Sequence, residues 1–404
     1  MIEGQQLVIY ACLPIYEKYR DRYQMFAAMA ETGAQVRMLL LHGSHPPAAN
    51  FPTGFQQLSL PEGTSLLNRG KHIRKLLTLA PPPARTIIHD TFTSQMGFYL
   101  RHRWKLRSAR VHNVLSLYNP NPSYLFGGHL RFTPGSRNRW ANSFWWLRSY
   151  LPLVMLEGLS CQLADVVTGN SPQIVEEVCS YYRIPQERTK FIPAEINSEF
   201  FCPGPCRRRH LNLPEDSPLI LYVGNIERRK GLDVFLNSVA ALANAVPSVR
   251  GVVVGRFLEP DRRWFDDLCR RPELAGRVEL RGSVPQETVR DYYRSCNLLF
   301  FPTRHEGSPR AVKESIACGC PVVGPSVPPL RAIDPEGRAI LYTSGYEPGD
   351  CAEAMRKMLD PVISAPRIQF GLDLVKNYSP NKIALQFLDL YETFFHSHPI
   401  SRKI

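Results

Sequence analysis

The sequence predicts an α/β protein of two doubly wound, Rossmann-like parallel-sheet domains facing across a cleft. Three observations carry this expectation. Short apolar, β-branched runs alternate with helical-period segments from end to end. The runs are nearly continuous in apolar residues, as strands covered on both faces of a parallel sheet are. The series occurs twice, and a Pro/Cys/Arg-rich stretch near 194–216 (FCPGPCRRRHLNLPEDSP) joins the two. The domains are therefore expected at 1–195 and 196–379, with a terminal segment at 380–404 to be placed.

In chain order, the first series gives strands at Leu7–Tyr10, Val36–Leu41, Thr86–His89, Val111–Leu117 and Val166–Thr168. The second gives Leu219–Val223, Gly251–Val254, Val278–Leu280, Leu298–Phe301 and Pro321–Val323. Helices fill the intervals. Leu232, Phe235, Leu236, Val239 and Leu242, for example, recur at three- and four-residue spacing. In the last segment Ser379-Pro380 reads as an N-cap followed by Pro at the first helical position. The stripe Ile383, Phe387, Leu390, Tyr391 and Phe394 follows. Periodicity leaves open which domain this helix covers. Ligands of doubly wound sheets bind beyond the carboxyl ends of the strands, and with two such sheets the cleft between them is the expected site.

Composition narrows the class. The chain has 404 residues, 44% hydrophobic and 21% charged, which excludes collagen-like, low-complexity and mostly disordered proteins. No apolar run approaches the ~20 residues of a spanning helix; Leu151–Leu156 is typical of the longest. Without a basic-then-apolar start, no signal peptide is expected. Ten cysteines are too sparse for a disulfide scaffold, and the close pairs Cys202/Cys206 and Cys318/Cys320 have no His at zinc-finger spacing. Reduced thiols of a cytoplasmic protein are expected.

The net charge of +13 is unevenly placed. Residues 1–150 carry 18 basic and 6 acidic side chains, and the remainder is nearly balanced. No acid lies between Asp90 and Glu157, whereas Arg101, Arg103, Lys105, Arg107, Arg110, Arg131, Arg137, Arg139 and Arg148 do. Trp104, Trp140, Trp145 and Trp146 are interleaved with them. Such a mixture is either core tryptophan behind a solvated basic face or an anionic membrane surface site through 101–150. No nucleic-acid partner is expected, because no helix-turn-helix, RNP or zinc-finger pattern accompanies the charge.

The segment that carries chemistry is 301–323, FPTRHEGSPRAVKESIACGCPVV. A strand runs into a loop, Ser308 reads as an N-cap with Pro309 at the first helical position, a helix continues to about Cys318, and Gly319 ends it. The helix N-terminus then points out of the carboxyl edge of the sheet, where its amides and dipole suit an anion such as a diphosphate. Glu306 precedes the helix and Glu314 lies inside it, on the order of 10 Å apart or less. That is too far for a shared proton and fits one extended ligand touched twice. A carboxylate accepts from two vicinal hydroxyls, so ribose and hexose are natural partners. A second segment, 221–231 (LYVGNIERRKG), is again a strand entering a loop and helix. Gly224 allows backbone to approach a ligand, and Lys230 is within reach of the same diphosphate.

With these residues the C-terminal half resembles family 4 (group 1) retaining glycosyltransferases of the GT-B fold. They share a Glu-x7-Glu motif, here Glu306 and Glu314, ahead of Ala-Cys-Gly-x-Pro-Val-Val, here Ala317 to Val323. They also share a strand ending Gly-Arg…Lys-Gly, here Gly224-Asn225…Lys230-Gly231, and a hinge resembled by Thr189–Asn197. The likeness spans roughly 155–400.

The resemblance implies transfer of a sugar from a nucleotide-diphosphate sugar to a hydroxyl of a glycoconjugate, a cell-surface polysaccharide or lipid-linked saccharide, with retention of configuration. It implies that Glu306 holds the donor sugar and Glu314 the ribose. Lys230 with the amides of Arg310 and Ala311 would hold the diphosphate, and Gly224, Asn225, Gly307 and Ser308 would line the donor. It further implies an acceptor-side first domain, a terminal helix crossing back onto it, no cofactor and no required metal, and a UDP-sugar donor ahead of a GDP-sugar. The expected location is cytoplasmic, peripheral at the inner membrane face.

Four positions depart from the pattern. Asn225 stands where the family has arginine, with Arg228 or Arg229 as possible substitutes. Ala194-Glu195 replaces the hinge Asn-Gly, and no glycine follows the first strand until Gly33. Tyr118 occupies the place of a strand-end catalytic histidine, with His89 and His112 nearby. These departures keep open an alternative: a catalytically weak or inactive sugar-nucleotide-binding protein of the same fold.

Overall fold

The computed structural model describes residues 7–15, 20–42, 52–59, 85–90, 111–118, 139–226, 228–256 and 262–396. They form two compact units. Of the described residues, one unit comprises those between 7 and 195 together with 378–396, and the other comprises 196–377. No helix among the described residues is long and apolar enough to cross a membrane. The cysteines described, including both close pairs, are free.

The first unit contains β1 (Leu7–Ile15), α1 (Arg20–Glu31), β2 (Gln35–His42), β3 (Phe55–Ser59), β4 (Arg85–Asp90), β5 (Val111–Leu117), α2 (Arg139–Leu163), β6 (Val166–Gly169), α3 (Pro172–Tyr182) and β7 (Thr189–Phe191). The strands pair in parallel in the order β3-β2-β1-β4-β5-β6-β7. The central strands are the continuous apolar runs that predicted them. β3 and β7 were not predicted; each is an edge strand of mixed polarity, Phe-Gln-Gln-Leu-Ser and Thr-Lys-Phe. The second unit contains β8 (Leu219–Val223), α4 (Leu232–Leu242), β9 (Arg250–Val254), α5 (Arg262–Cys269), β10 (Val278–Gly282), α6 (Gln286–Ser295), β11 (Leu298–Phe300), α7 (Arg310–Ala317), β12 (Val322–Pro325), α8 (Pro328–Arg331), β13 (Ile340–Thr343), α9 (Pro348–Met358) and α10 (Pro361–Val375). Its parallel order is β10-β9-β8-β11-β12-β13.

The final helix, α11 (Pro380–His396), belongs to the first unit. Its predicted stripe buries Ile383, Phe387 and Tyr391 in the cluster built from Ile9, Phe26, Val36 and Ile87, with Leu390 and Phe394 partly buried against it and Ala384 buried beside them. Full burial of one such side chain is worth about 1.5–3 kcal/mol, so the stripe anchors the chain end firmly. Arg85 pairs with Glu392, and His112 stacks on Phe394 with ring centroids 4.9 Å apart.

A buried polar chain fixes the same helix. The Nδ1 of His89, on β4, lies 2.5 Å from the Tyr391 hydroxyl, and its Nε2 lies 2.7 Å from Ser116 Oγ on β5. Ser116 Oγ in turn lies 2.7 Å from Thr168 Oγ1 on β6. His89 is completely buried, and burial, aided by the Arg22 charge, holds its pKa well below the ordinary histidine value. The ring is therefore neutral, one nitrogen donating and the other accepting. The hinge departure at Glu195 has an equally local cause: its carboxylate accepts from Arg22 Nε at 2.9 Å, with both side chains 5% exposed or less.

A histidine kept neutral in the folded state and free to titrate when unfolded stabilises the fold above the unfolded pKa and loses that contribution as pH falls. Denaturant unfolding is expected to show stability declining between about pH 7 and pH 5, with His89 contributing up to about 1.4 kcal/mol per pH unit below about 6.5. The His89→Gln protein is expected to be less stable at neutral pH and to lose that share of the slope.

Candidate active site

β8 pairs with β9 on one side and with β11 on the other. Strand order therefore reverses between β8 and β11, and at such a switch point the loops leaving the two strands diverge and leave a crevice for ligand. Those loops are 224–231 and 301–309, the two segments singled out in the sequence.

Backbone contact sets how closely they approach. Gly231 caps α4 with φ 73°, and a Cβ there would sit 2.0 Å from the Pro302 carbonyl oxygen. A Cβ on Gly255 would sit 1.7 Å from the Gly224 carbonyl oxygen, so only glycine fits where β9 ends beside β8. Polar contacts then tie loop to loop. The Arg304 amide donates to the Arg229 carbonyl at 3.0 Å, and Arg229 Nη1 donates to the His305 carbonyl at 2.8 Å. Arg304 makes a two-pronged pair with Asp233 in the first turn of α4, both contacts at 2.7 Å. Tyr346 donates its hydroxyl to the Thr303 carbonyl at 3.1 Å. Across this frame the Lys230 ammonium pairs with the Glu306 carboxylate, each side chain mostly buried.

The helix behind the second loop begins one residue later than predicted. Pro309, not Ser308, is the N-cap, and no side chain caps α7. The reason is that proline cannot donate and its φ of −76° with ψ of 95° leaves it outside the helix. The first-turn amides of α7, beginning at Arg310 and Ala311, have no intrahelical acceptor. The predicted glycine stop is present: Gly319 has φ 76°, its amide donates to Ile316, and the Cys320 amide donates to Ser315.

Glu314 is buried one turn inside α7. Its Oε2 accepts from the Tyr293 hydroxyl of α6 at 3.1 Å, and its Oε1 lies 3.6 Å from Arg310 Nη2. Burial pushes the Tyr293 phenol well above its ordinary pKa, and the Glu314 charge pushes it further. Tyr293 therefore remains a donor and holds the carboxylate in one orientation.

The two loops and α7 thus gather Gly224, Asn225, Lys230, Glu306, Gly307, Ser308, Arg310, Ala311 and Glu314. Asn225 presents its carbonyl to the Tyr222 hydroxyl at 3.0 Å. Arg229, considered as a substitute for the missing arginine, is 7% exposed and committed to His305, so it serves the frame. Tyr118 belongs to the first unit, at the end of β5, with the Arg22 guanidinium carbon 4.7 Å from its ring centre. His89 and His112, its alternatives, are occupied by packing against α11. The basic residues from Arg101 to Arg137 and Trp104 lie outside the described residues. Sequence reasoning missed Asp233, Tyr293 and Arg304. Arg304 sits two residues before Glu306, yet nothing in spacing couples it to Asp233, 71 positions away.

A cation, an uncapped helix end and two carboxylates in one crevice suit a ligand with an anionic middle and hydroxyls on either side. The architecture is that of GT-B glycosyltransferases. Sucrose-phosphate synthase from Thermosynechococcus elongatus superposes with TM-score 0.70 at 20% identity, covering 97% of this chain and 99% of that one. HepE of Anabaena, solved with UDP and glucose, superposes with TM-score 0.66 at 14% identity over 96% of this chain and 100% of that one.

Residues 217–361 match the family model of glycosyl transferases group 1. D-inositol 3-phosphate glycosyltransferase of Thermobispora bispora is 30% identical over 291 residues, 69% of this chain and 63% of that protein. The namesake of Thermobifida fusca is 30% identical over 209 residues, 49% of this chain and 48% of that one. The chain thus spans less than two thirds of these relatives.

Gly231→Ala and Gly255→Ala are each expected to lower unfolding free energy by about 2–4 kcal/mol, since a methyl group must displace backbone in both. Denaturant titration beside Gly349→Ala, where the added methyl meets nothing, checks it.

Proposed function

We propose that the chain is a retaining glycosyltransferase that moves a sugar from a nucleotide-diphosphate sugar, UDP-linked ahead of GDP-linked, to a hydroxyl of a glycoconjugate acceptor. The observation that carries this reading is the Lys230–Glu306 pair at the switch point of the second sheet, beside the uncapped end of α7. A donor would separate them, drawing Lys230 to the diphosphate and Glu306 to hydroxyls of the sugar.

In this reading the amides of Arg310 and Ala311 complete the diphosphate site, with Gly224, Asn225, Gly307 and Ser308 along its wall. Glu314, held by Tyr293, accepts from the ribose hydroxyls. In the step itself the bond from the anomeric carbon to the diphosphate breaks, the bond to the acceptor oxygen forms, and the acceptor's proton passes to the departing diphosphate oxygen. The nucleoside diphosphate leaves with its added charge met by Lys230 and the helix end, so that no metal is needed. Tyr118 is proposed as a donor toward the transferred group or its phosphate. The HepE complex with UDP and glucose supplies a precedent for the donor class. The acceptor is proposed to be a growing cell-surface polysaccharide or a lipid-linked saccharide, reached at the inner face of a membrane through 101–150.

Turnover is tested with UDP-sugars by following nucleoside diphosphate release and the anomeric configuration of the product, with and without EDTA. Glu306→Ala is expected to lower turnover by at least about 100-fold with little change in UDP affinity. Retained configuration and indifference to EDTA are expected. An inverted product or unimpaired Glu306→Ala turnover would overturn the proposal. Nucleotide binding without any turnover would favour the inactive binding-protein reading that Asn225 motivates.

A further inference from the structure

The first turn of α7 carries the wrong charge for its place. The N-terminal end of a helix is its positive end, where acidic side chains are favoured and basic ones opposed. α7 has no acid in its first turn, and its first residue is Arg310. The guanidinium pairs with Glu314 one turn on, Nη2 lying 3.6 Å from Oε1. At this spacing an acid ahead of a base supports a helix, and the reverse order found here is the weaker one. The contact is also loose. Arg304 meets Asp233 through two nitrogens at 2.7 Å, whereas 3.6 Å is longer than a hydrogen bond. Helix stability therefore does not account for an arginine at this position, and a bound anion would.

The pair repeats the arrangement on the neighbouring loop. Lys230 pairs with Glu306 and Arg310 with Glu314, so each carboxylate of the crevice is matched by one cation. Of the second pair, the Arg310 side chain is 31% exposed and Glu314 11%, so the guanidinium is the member that solutes reach. The Cα–Cβ bond of a helical residue tilts toward the N-terminus, so this side chain starts beside the uncapped amides. Arg229 and Arg304 are built into the frame, one on the His305 carbonyl and the other on Asp233.

We propose that the Arg310 side chain is a second phosphate-binding group of the crevice, taking the phosphate attached to the ribose while Lys230 takes the one that bears the sugar. This assignment rests on the proposed function, in which Glu314 holds the ribose and Glu306 the sugar. The order of groups along the ligand then matches the order of pairs. Sugar hydroxyls at Glu306 adjoin the outer phosphate at Lys230, and the ribose at Glu314 adjoins the inner phosphate at Arg310. Two cations meet the two charged groups of a diphosphate, and each carboxylate, relieved of its cation, accepts from hydroxyls. The anionic middle of the ligand thus releases the groups that recognise both of its ends.

The test is calorimetric titration of uridine, UMP and UDP, and of the matching guanosine compounds, into wild type, Arg310→Ala and Arg310→Lys, with melting curves confirming that each protein is folded. Whichever base binds, wild type is expected to prefer the monophosphate to the nucleoside. Arg310→Ala is expected to cut that preference by at least about tenfold, while the further preference for the diphosphate, which Lys230 sets, is largely kept. Arg310→Lys is expected to restore part of the loss. Weakening of nucleoside, monophosphate and diphosphate by one common factor would overturn the inference, since a residue that only holds Glu314 in place would give that result. So would a preference for the monophosphate that is absent from wild type or intact in Arg310→Ala. Those results leave the donor site standing, whereas wild type that binds neither series would defeat the proposed donor site and this assignment together.

Discussion

The candidate site depends on one constraint: two loops that leave neighbouring strands on either side of a reversal in strand order must be held close with their charges aimed into the gap. Backbone does the first part. Gly231 against Pro302 and Gly255 against Gly224 permit approaches that any side chain would block. The Arg304–Asp233 pair and the Arg229–His305 contact then lock the loops. Only after those are made do Lys230 and Glu306 face each other. The facing charges of Lys230 and Glu306 thus rest on a frame built from other charges, and Arg229 belongs to that frame.

The first unit solves a different problem with similar means. Its chain end must return across the sequence and stay attached, and the apolar side of α11 supplies the energy. Specificity of placement comes from the buried chain Tyr391–His89–Ser116–Thr168, which links the helix to three adjacent strands. A wholly apolar contact would tolerate a slip of the helix by a turn; a satisfied polar network does not. In the same unit Glu157 of α2 accepts from the Tyr182 hydroxyl of α3, so a buried polar contact also ties those two helices.

Much of this was legible in the sequence. Central strands are buried on both faces and read as apolar runs, so their positions were recovered within a few residues. The strands missed, β3, β7 and β13, are all sheet edges, and in β3 and β7 Gln and Lys interrupt the apolar run. The Glu306–Glu314 motif, the Gly319 stop and Lys230 were legible because local spacing encodes them. Their supports were not. Tyr293 reaches Glu314 across 21 positions, Arg304 reaches Asp233 across 71, and Arg22 reaches Glu195 across 173. A single sequence names the residues of such pairs and leaves the pairing to the fold. The start of α7 slipped by one residue because Ser308 and Pro309 are both good first positions and only backbone geometry separates them.

In the proposed function Lys230 leaves Glu306 to take the terminal phosphate of a nucleoside diphosphate. Calorimetric titration of UDP and UMP into wild type and Lys230→Ala tests it most directly. Wild type is expected to bind UDP well above UMP, and Lys230→Ala to remove most of that difference, about 1.5–3 kcal/mol for a charge-assisted contact, with UMP binding nearly unchanged. Equal preference for UDP over UMP in both proteins, or no nucleotide binding by either, would contradict it.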